Sequence, residues 1–166
     1  PHLVDFRERF LVDGEAIDPA WVVAFLERWT DTVDRLGVTF FEATTCMAFA
    51  WFAEREVDMA VIETGLGGRL DATNVVRPLV ATVTSIGIDH VEQLGPTREG
   101  IAREKGGIFK PGAVAVVGEP DRAIAEQLLA QARAVEAGET FDLWRDAPPH
   151  GVDVDDRGTT FTVAAE

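Results

Sequence analysis

Residues 60–74 read AVIETGLGGRLDATN. Three apolar residues run straight into Glu63, and three glycines, Gly65, Gly67 and Gly68, follow within four positions. An apolar run that stops on a carboxylate and a glycine turn has the form of a buried strand reaching the rim of a sheet. Asp58 to Ile62 is therefore expected to be a strand, and so is Leu79 to Ile86. Neither alternates cleanly, which suits strands covered on both faces in a parallel sheet.

Outward from this stretch, strand and helix signals alternate. Pro96 and Thr97 open a helix running to about Lys105, Ala113 to Val117 reads as a third buried strand, and Asp121 to Glu136 is an amphipathic helix ended by Gly138. This alternation predicts a three-layer α/β domain, a mostly parallel sheet with flanking helices. Peripheral β-hairpins are expected at both ends. Val4 to Val12 shows the period of a half-exposed strand, broken by Glu8, and Asp13-Gly14 supplies a tight turn before Glu15 to Ile17. Val152 to Val154 and Thr160 to Val163 pair around Asp156-Arg157-Gly158. Residues 1–147 are read as one domain, and 148–166, after the boundary at Pro148-Pro149, as a hairpin closing its edge.

Between these parts lie two helices. Asp18 caps the first with Pro19 at its opening position; Trp21, Phe25, Trp29 and Val33 recur every four residues until Gly37 stops it. Aromatic residues at that spacing read as core packing. The second helix is expected from Thr44 to Arg55, apolar on most sides, with Cys46 as a small core residue.

The 166 residues are 46% hydrophobic, enough for a core, and the uncharged run Cys46 to Ala53 is far shorter than the ~20 residues of a membrane span. With 15 basic against 29 acidic residues the net charge is −14, which repels nucleic acid and anionic membranes. A nucleotide partner would need local compensation, most simply from a divalent metal. A single cysteine excludes an internal disulfide framework and suits a reducing, cytoplasmic setting. The chain opens on Pro1 with no signal peptide or initiator Met and is expected to be an excerpt.

Ligands of open α/β sheets gather beyond the carboxyl ends of the strands. Glu63 sits at one such end, and Asp89 and His90 just past another. If those strands are parallel neighbours, Glu63 and His90 share an edge. Each residue carries two readings. Glu63 is either capped or paired, with Arg69 for instance, or a ligand for a hard cation such as Mg²⁺, which takes one or two protein groups and completes its shell with water and phosphate. His90 is a structural histidine, or a functional one whose tautomer Asp89 fixes. Lys105 is a helix-end lysine complementing the dipole unless something brings it to the site. No G-x-x-x-x-G-K-[ST] string occurs, and a dinucleotide fingerprint would need glycine where the chain has Leu70. The glycines either shape a tight turn or let a ligand approach the backbone closely.

Five strings, PHLVDFRERFLVDGEAI, TFFEATT, IETGLGGRLDATNVV, TSIGIDHVEQLG and IAREKGGIFKPG, resemble in order and spacing the bifunctional dihydrofolate synthase/folylpolyglutamate synthase family of Mur-type ligases. The likeness is close over residues 1–120 and fades after Gly118. It implies an ATP-dependent ligase that activates a carboxylate of dihydropteroate or folate as an acyl phosphate for attack by L-glutamate. It further implies Glu63 and His90 as Mg²⁺ ligands and Lys105 at the position of a carbamylated lysine. Asp71 and Ala72, with Phe40, Phe41 and Thr44, match the pterin-side wall; Gly65, Gly67, Gly68 and Asn74 fall on the cofactor side. Core packing remains an equal reading for the two phenylalanines, only one of which points inward if that stretch is extended.

Two departures stand out. Gly106 occupies the place of an alanine in the family's EKAGI, loosening the helix end by about 1 kcal/mol. The family's P-loop and C-terminal domain lie outside these residues, so the fragment alone is expected to be inactive or nearly so, while the complete protein is expected to be a monomeric ligase. A non-catalytic pterin-binding module and a Mur-type ligase with another acceptor acid are the competing readings.

Overall fold

Glu8, the residue that breaks the apolar alternation of Val4 to Val12, decides the local structure there. In the computed structural model, which describes residues 2–156 and 158–163, Phe6–Arg9 form a 3₁₀ turn rather than part of a strand. The Glu8 carboxylate accepts hydrogen bonds from the backbone N–H groups of Leu3, Val4 and Asp5, while the Asp5 carboxylate accepts from Arg7 N–H. Side chains that satisfy the backbone locally compete with a ladder, and here they prevail. Only Leu11–Val12 (β1) is a strand, pairing antiparallel with Glu15–Ala16 (β2). Asp13 and Gly14 between them both take positive φ, as a two-residue hairpin turn demands.

The first of two compact units ends at Gly65. Its helix α1 (Pro19–Leu36) keeps the expected limits, with the Asp18 side chain accepting from Ala20 N–H and Gly37 closing it at φ 63°. Helix α2 (Phe40–Glu54) starts one turn earlier than expected. Thr39 caps it and Glu42 reaches back to the Thr39 N–H, a capping box that makes Phe40 and Phe41 helical rather than extended. Phe10, Ile17, Met47 and Trp51 form the buried core here, flanked by Trp21 and Phe25. Trp29 and Cys46 are exposed instead of packed inside.

Asp58 to Ile62 is not a strand. A strand exists only with a neighbour to receive its backbone hydrogen bonds, and among the described residues none pairs with this segment. Met59 and Val61 are exposed, Ile62 is half-buried, and Glu63 follows in the same irregular run.

The second unit, from Leu66 onward, is the α/β part. Strand β3 (Val80–Val83), the short helix α3 (Val91–Leu94), α4 (Arg98–Lys105), β4 (Val114–Val117), α5 (Arg122–Ala134), β5 (Thr140–Asp142) and α6 (Leu143–Asp146) follow in order. The three strands form one parallel sheet in the order β3-β4-β5, with Val80 opposite Val114 and Ala115 opposite Thr140. Ala81, Val83, Ala115 and Val117 point into a core completed by α4 and α5, whose Ile101, Leu128 and Leu129 are almost wholly enclosed. Thr97 and Asp121 cap these two helices. β5 and α6 went unanticipated because three residues, Thr140 to Asp142, carry no readable period. A separate antiparallel hairpin, β6 (Pro149–Asp155) with β7 (Gly158–Val163), closes the described chain.

Candidate active site

The turn of residues 66–75 is stitched to the end of α4, and that end is where Lys105 sits. Arg69 N–H donates to the Glu104 carbonyl at 2.8 Å, and the Arg69 guanidinium meets the Glu104 carboxylate at 3.1 Å. The Asn74 amide donates to the carbonyls of Arg69 at 3.0 Å and Gly107 at 3.1 Å, bracketing both sides of the joint. Asp71 organises the turn from within: one carboxylate oxygen accepts from Thr73 N–H at 2.9 Å and the other from Leu66 N–H at 2.8 Å. Ala72 begins the 3₁₀ turn Ala72–Val75 that follows.

The glycines make this approach sterically feasible. A Cβ on Gly68 would lie 2.7 Å from the Lys105 carbonyl oxygen and 2.9 Å from that of Glu104; one on Gly107 would lie 2.7 Å from Arg69 Cα. Gly67, at φ 67°, faces Leu94 of α3. The turn therefore touches both the helix that starts after His90 and the helix that ends on Lys105. In the first unit, Gly65 lies against the Phe41 ring, which a Cβ would meet at 2.6 Å from Cε2. Phe40 packs instead toward Phe6, with ring centroids 5.9 Å apart, and Arg9 lies over its ring. Buried Thr44 donates its hydroxyl to the Phe41 carbonyl.

His90 caps α3 in the left-handed conformation, φ 50° and ψ 44°, a region non-glycine residues seldom enter. Its backbone N–H donates to Asp89 Oδ1 at 2.7 Å, whereas its Nε2 is 3.7 Å from Asp89 Oδ2, too long for a hydrogen bond. Asp89 thus secures the backbone of His90 rather than its tautomer, and the imidazole is exposed. Glu63, also exposed, belongs to the first unit; His90 and Lys105 belong to the second. Among the described residues no three His, Cys, Asp or Glu side chains gather to hold a metal. A carboxylate or imidazole contributed singly, with phosphate and water completing the shell, fits the sparse protein ligation of Mg²⁺.

One cluster escaped the sequence reading. Glu119, two residues beyond β4, is 1% exposed and accepts hydrogen bonds from Ile86 N–H at 2.6 Å, Arg98 Nη2 at 2.8 Å and Asp121 N–H at 2.8 Å. The hydrogen bond to Asp121, with the Glu119 charge beside it, raises the Arg98 pKa, and Arg98 in turn holds Asp121 below the usual carboxylate range. The signal was available: Glu119 ends an apolar strand much as Glu63 was expected to.

The Mur ligase middle domain family model matches residues 22–161, and the chain belongs to that family. Among curated relatives, the dihydrofolate synthase/folylpolyglutamate synthase of Escherichia coli K12 is 46% identical over 122 residues, covering 73% of this chain and 29% of the relative. The enzyme of the same description from Mycobacterium tuberculosis is 41% identical over 156 residues, covering 82% and 32%; mitochondrial folylpolyglutamate synthase from Homo sapiens is 44% identical over 123 residues, covering 69% and 21%. The chain thus spans a third or less of the length of these relatives. Among solved structures, an FPGS complex with AMPPCP and folate matches 98% of this chain and 41% of its own at a TM-score of 0.87 and 34% identity. E. coli FolC with DHPP and ADP matches 96% and 39% at 0.82 and 36%. No helix among the described residues is long and apolar enough to cross a membrane.

Proposed function

We propose that this chain is the middle-domain part of an ATP-dependent ligase that adds L-glutamate to dihydropteroate, to a folylpolyglutamate, or to both. The likeness over 98% of the chain to a synthase complexed with AMPPCP and folate carries the reading. A carboxylate resists attack by an amine because charge and resonance make it a poor electrophile. Transfer of the γ-phosphoryl group of ATP to a carboxylate oxygen releases ADP and creates a leaving group. The glutamate amine then attacks the acyl carbon, and amide, phosphate and a proton result.

In this reading Glu63 and His90 would hold Mg²⁺, which when bound would supply positive charge against the negative charge that spreads over the transferring phosphoryl group. Lys105 acts as a carbamate: the neutral amine captures CO₂, loses a proton and becomes an anion that no longer repels a cation. Phe40, Phe41, Thr44, Asp71 and Ala72 form the pterin wall, while Gly65, Gly67, Gly68 and Asn74 shape the backbone on the nucleotide side. The docking of the glycine turn onto the Lys105 end of α4 supports this assignment, since it makes the turn and that lysine one rigid part. The 166 residues alone are inactive or nearly so, and the complete ligase is a cytoplasmic monomer.

Incorporation of labelled L-glutamate into dihydropteroate and into a reduced folate, measured in parallel with the longer polypeptide that carries this segment, tests the proposal. ATP-dependent incorporation into at least one is expected. Turnover only with a peptidoglycan-type acid would refute it, and so would ligand binding without any ATP-dependent amide formation.

A further inference from the structure

Both backbone groups of Ile86 are held by charged side chains. Its N–H donates to the enclosed Glu119 carboxylate at 2.6 Å, and its carbonyl accepts from Arg98 Nε at 3.0 Å. Arg98 also donates to Glu119 at 2.8 Å and, through Nη1, to Asp121 at 2.8 Å, so the first turn of α4 and the cap of α5 share the clamp. The Ile86 side chain is itself buried. Beyond it the side chains are open to solvent: a Cβ on Gly87 would meet nothing within 4 Å, Ile88 is exposed, and Asp89 and His90 show 83% and 56% of their side chains. The 87–90 loop is therefore held at its two ends, by the clamp on Ile86 and by the His90 backbone, whose N–H donates to Asp89 Oδ1 and whose carbonyl accepts from Leu94 N–H at 2.9 Å.

An ion pair with one partner enclosed, as Glu119 is, is a poor device for stability alone. Removing the Glu119 charge from water is costly, and apolar residues of the same volume often serve as well or better in such a place. What the pair adds is directional: a guanidinium fork and a carboxylate that fix one peptide unit in one orientation.

We propose that Arg98 and Glu119 are positioning residues that lock the Ile86 peptide and so present the 87–90 loop, with His90 at its end, in a single conformation. They touch neither substrate nor nucleotide; their effect passes through His90. This inference rests on the assignment of His90 as a Mg²⁺ ligand.

The test combines Arg98→Lys, Glu119→Gln and His90→Ala. Arg98→Lys keeps the charge and loses the fork, and because Arg98 is one-third exposed it is the variant expected to fold if Glu119→Gln does not. Amide hydrogen exchange on the 166-residue chain, without ligand, should show faster exchange across residues 86–90 in Arg98→Lys while the core strands stay protected. In the longer ligase the Mg²⁺ concentration for half-maximal activity should rise about tenfold in Arg98→Lys, with KM for glutamate unchanged, and should rise no further when Arg98→Lys is added to His90→Ala. Additive effects of the two substitutions, or unchanged exchange at 86–90, would overturn the positioning role while leaving His90 as a ligand. A His90→Ala enzyme with wild-type Mg²⁺ dependence would instead remove the ligand assignment, and the positioning role with it.

Discussion

Gly68→Ala tests whether the glycine turn is a packing joint. The added methyl carbon would sit 2.7 Å from the Lys105 carbonyl oxygen, 2.8 Å from Ile108 Cγ2 and 2.9 Å from the Glu104 carbonyl oxygen. Ordinary contact begins at 3.4 Å, so turn and helix end must part by about 0.7 Å, and two of the three obstacles are backbone that no rotamer change relieves. Overpacking of this kind costs about 1–3 kcal/mol. The separation also strains the 2.8 Å hydrogen bond from Arg69 N–H to the Glu104 carbonyl, worth about 1 kcal/mol. A total of about 2–4 kcal/mol lowers Tm by roughly 4–16 °C for a chain of this size. Thermal unfolding followed by circular dichroism measures it, with Gly87→Ala as the control because nothing lies within 4 Å of that position. In the longer ligase the displaced Lys105 should lower kcat at least tenfold. A Gly68→Ala chain melting within 1 °C of Gly87→Ala would refute the joint.

Three further outcomes are expected. Gly106→Ala alone should destabilise by about 1 kcal/mol, because the new methyl would meet the Gln131 amide, which donates to the Arg103 carbonyl; added to Gln131→Ala it should instead stabilise by about 0.5–1 kcal/mol through helix propensity, and a double-mutant cycle by chemical denaturation reads the sign change. Asp71→Ala removes the acceptor for Leu66 and Thr73 N–H and should cost about 1–2 kcal/mol in the same assay. Asp5, Glu8, Glu42, Asp121 and Asp146 are all held below their ordinary pKa by hydrogen bonds that favour the carboxylate, so their contribution is complete above the unfolded values near pH 4 and is lost as pH falls through the folded ones. Tm should be level from pH 5 to 7 and fall below about pH 4; a fall beginning above pH 6 would contradict this.

Helix limits were legible where a side chain announces them. Asp18, Thr97 and Asp121 are caps whose chemistry is local, and each stands where its residue type predicts. The same local chemistry misled the reading of Val4 to Val12, where Asp5 and Glu8 form a cap that the hydrophobic period does not reveal. Asp58 to Ile62 failed for the opposite reason: an apolar run specifies willingness to pair, and whether a partner is present is not written in it. The glycines and Lys105 were legible as candidates, but not their joining, because Gly68 and Lys105 are 37 positions apart and no spacing rule links them. Glu119 follows the strand run Val114–Val117 by two residues, and nothing in that spacing shows that its carboxylate turns back to the Ile86 N–H, 33 positions away.

Which force makes the joint specific can be judged from the magnitudes. The Arg69–Glu104 ion pair is conspicuous, yet its guanidinium is 53% exposed, and such pairs contribute about 0–1 kcal/mol. The contact made by Gly68 and Gly107 has no charge, but adding one carbon to either side of it is expected to cost several times as much. Steric fit therefore sets the distance between turn and helix, and the ion pair only decorates its solvent edge. The Asn74 amide then fixes the rotation, because its two donors must reach the Arg69 and Gly107 carbonyls together. Three glycines within four positions resemble a phosphate loop in composition alone. Gly65 admits an aromatic ring, Gly67 admits Leu94, and Gly68 admits the carbonyls at the end of α4, so each missing side chain answers a different neighbour. The turn's first task is to hold the Lys105 end of α4 in place, and any ligand it receives meets a backbone already positioned by that contact.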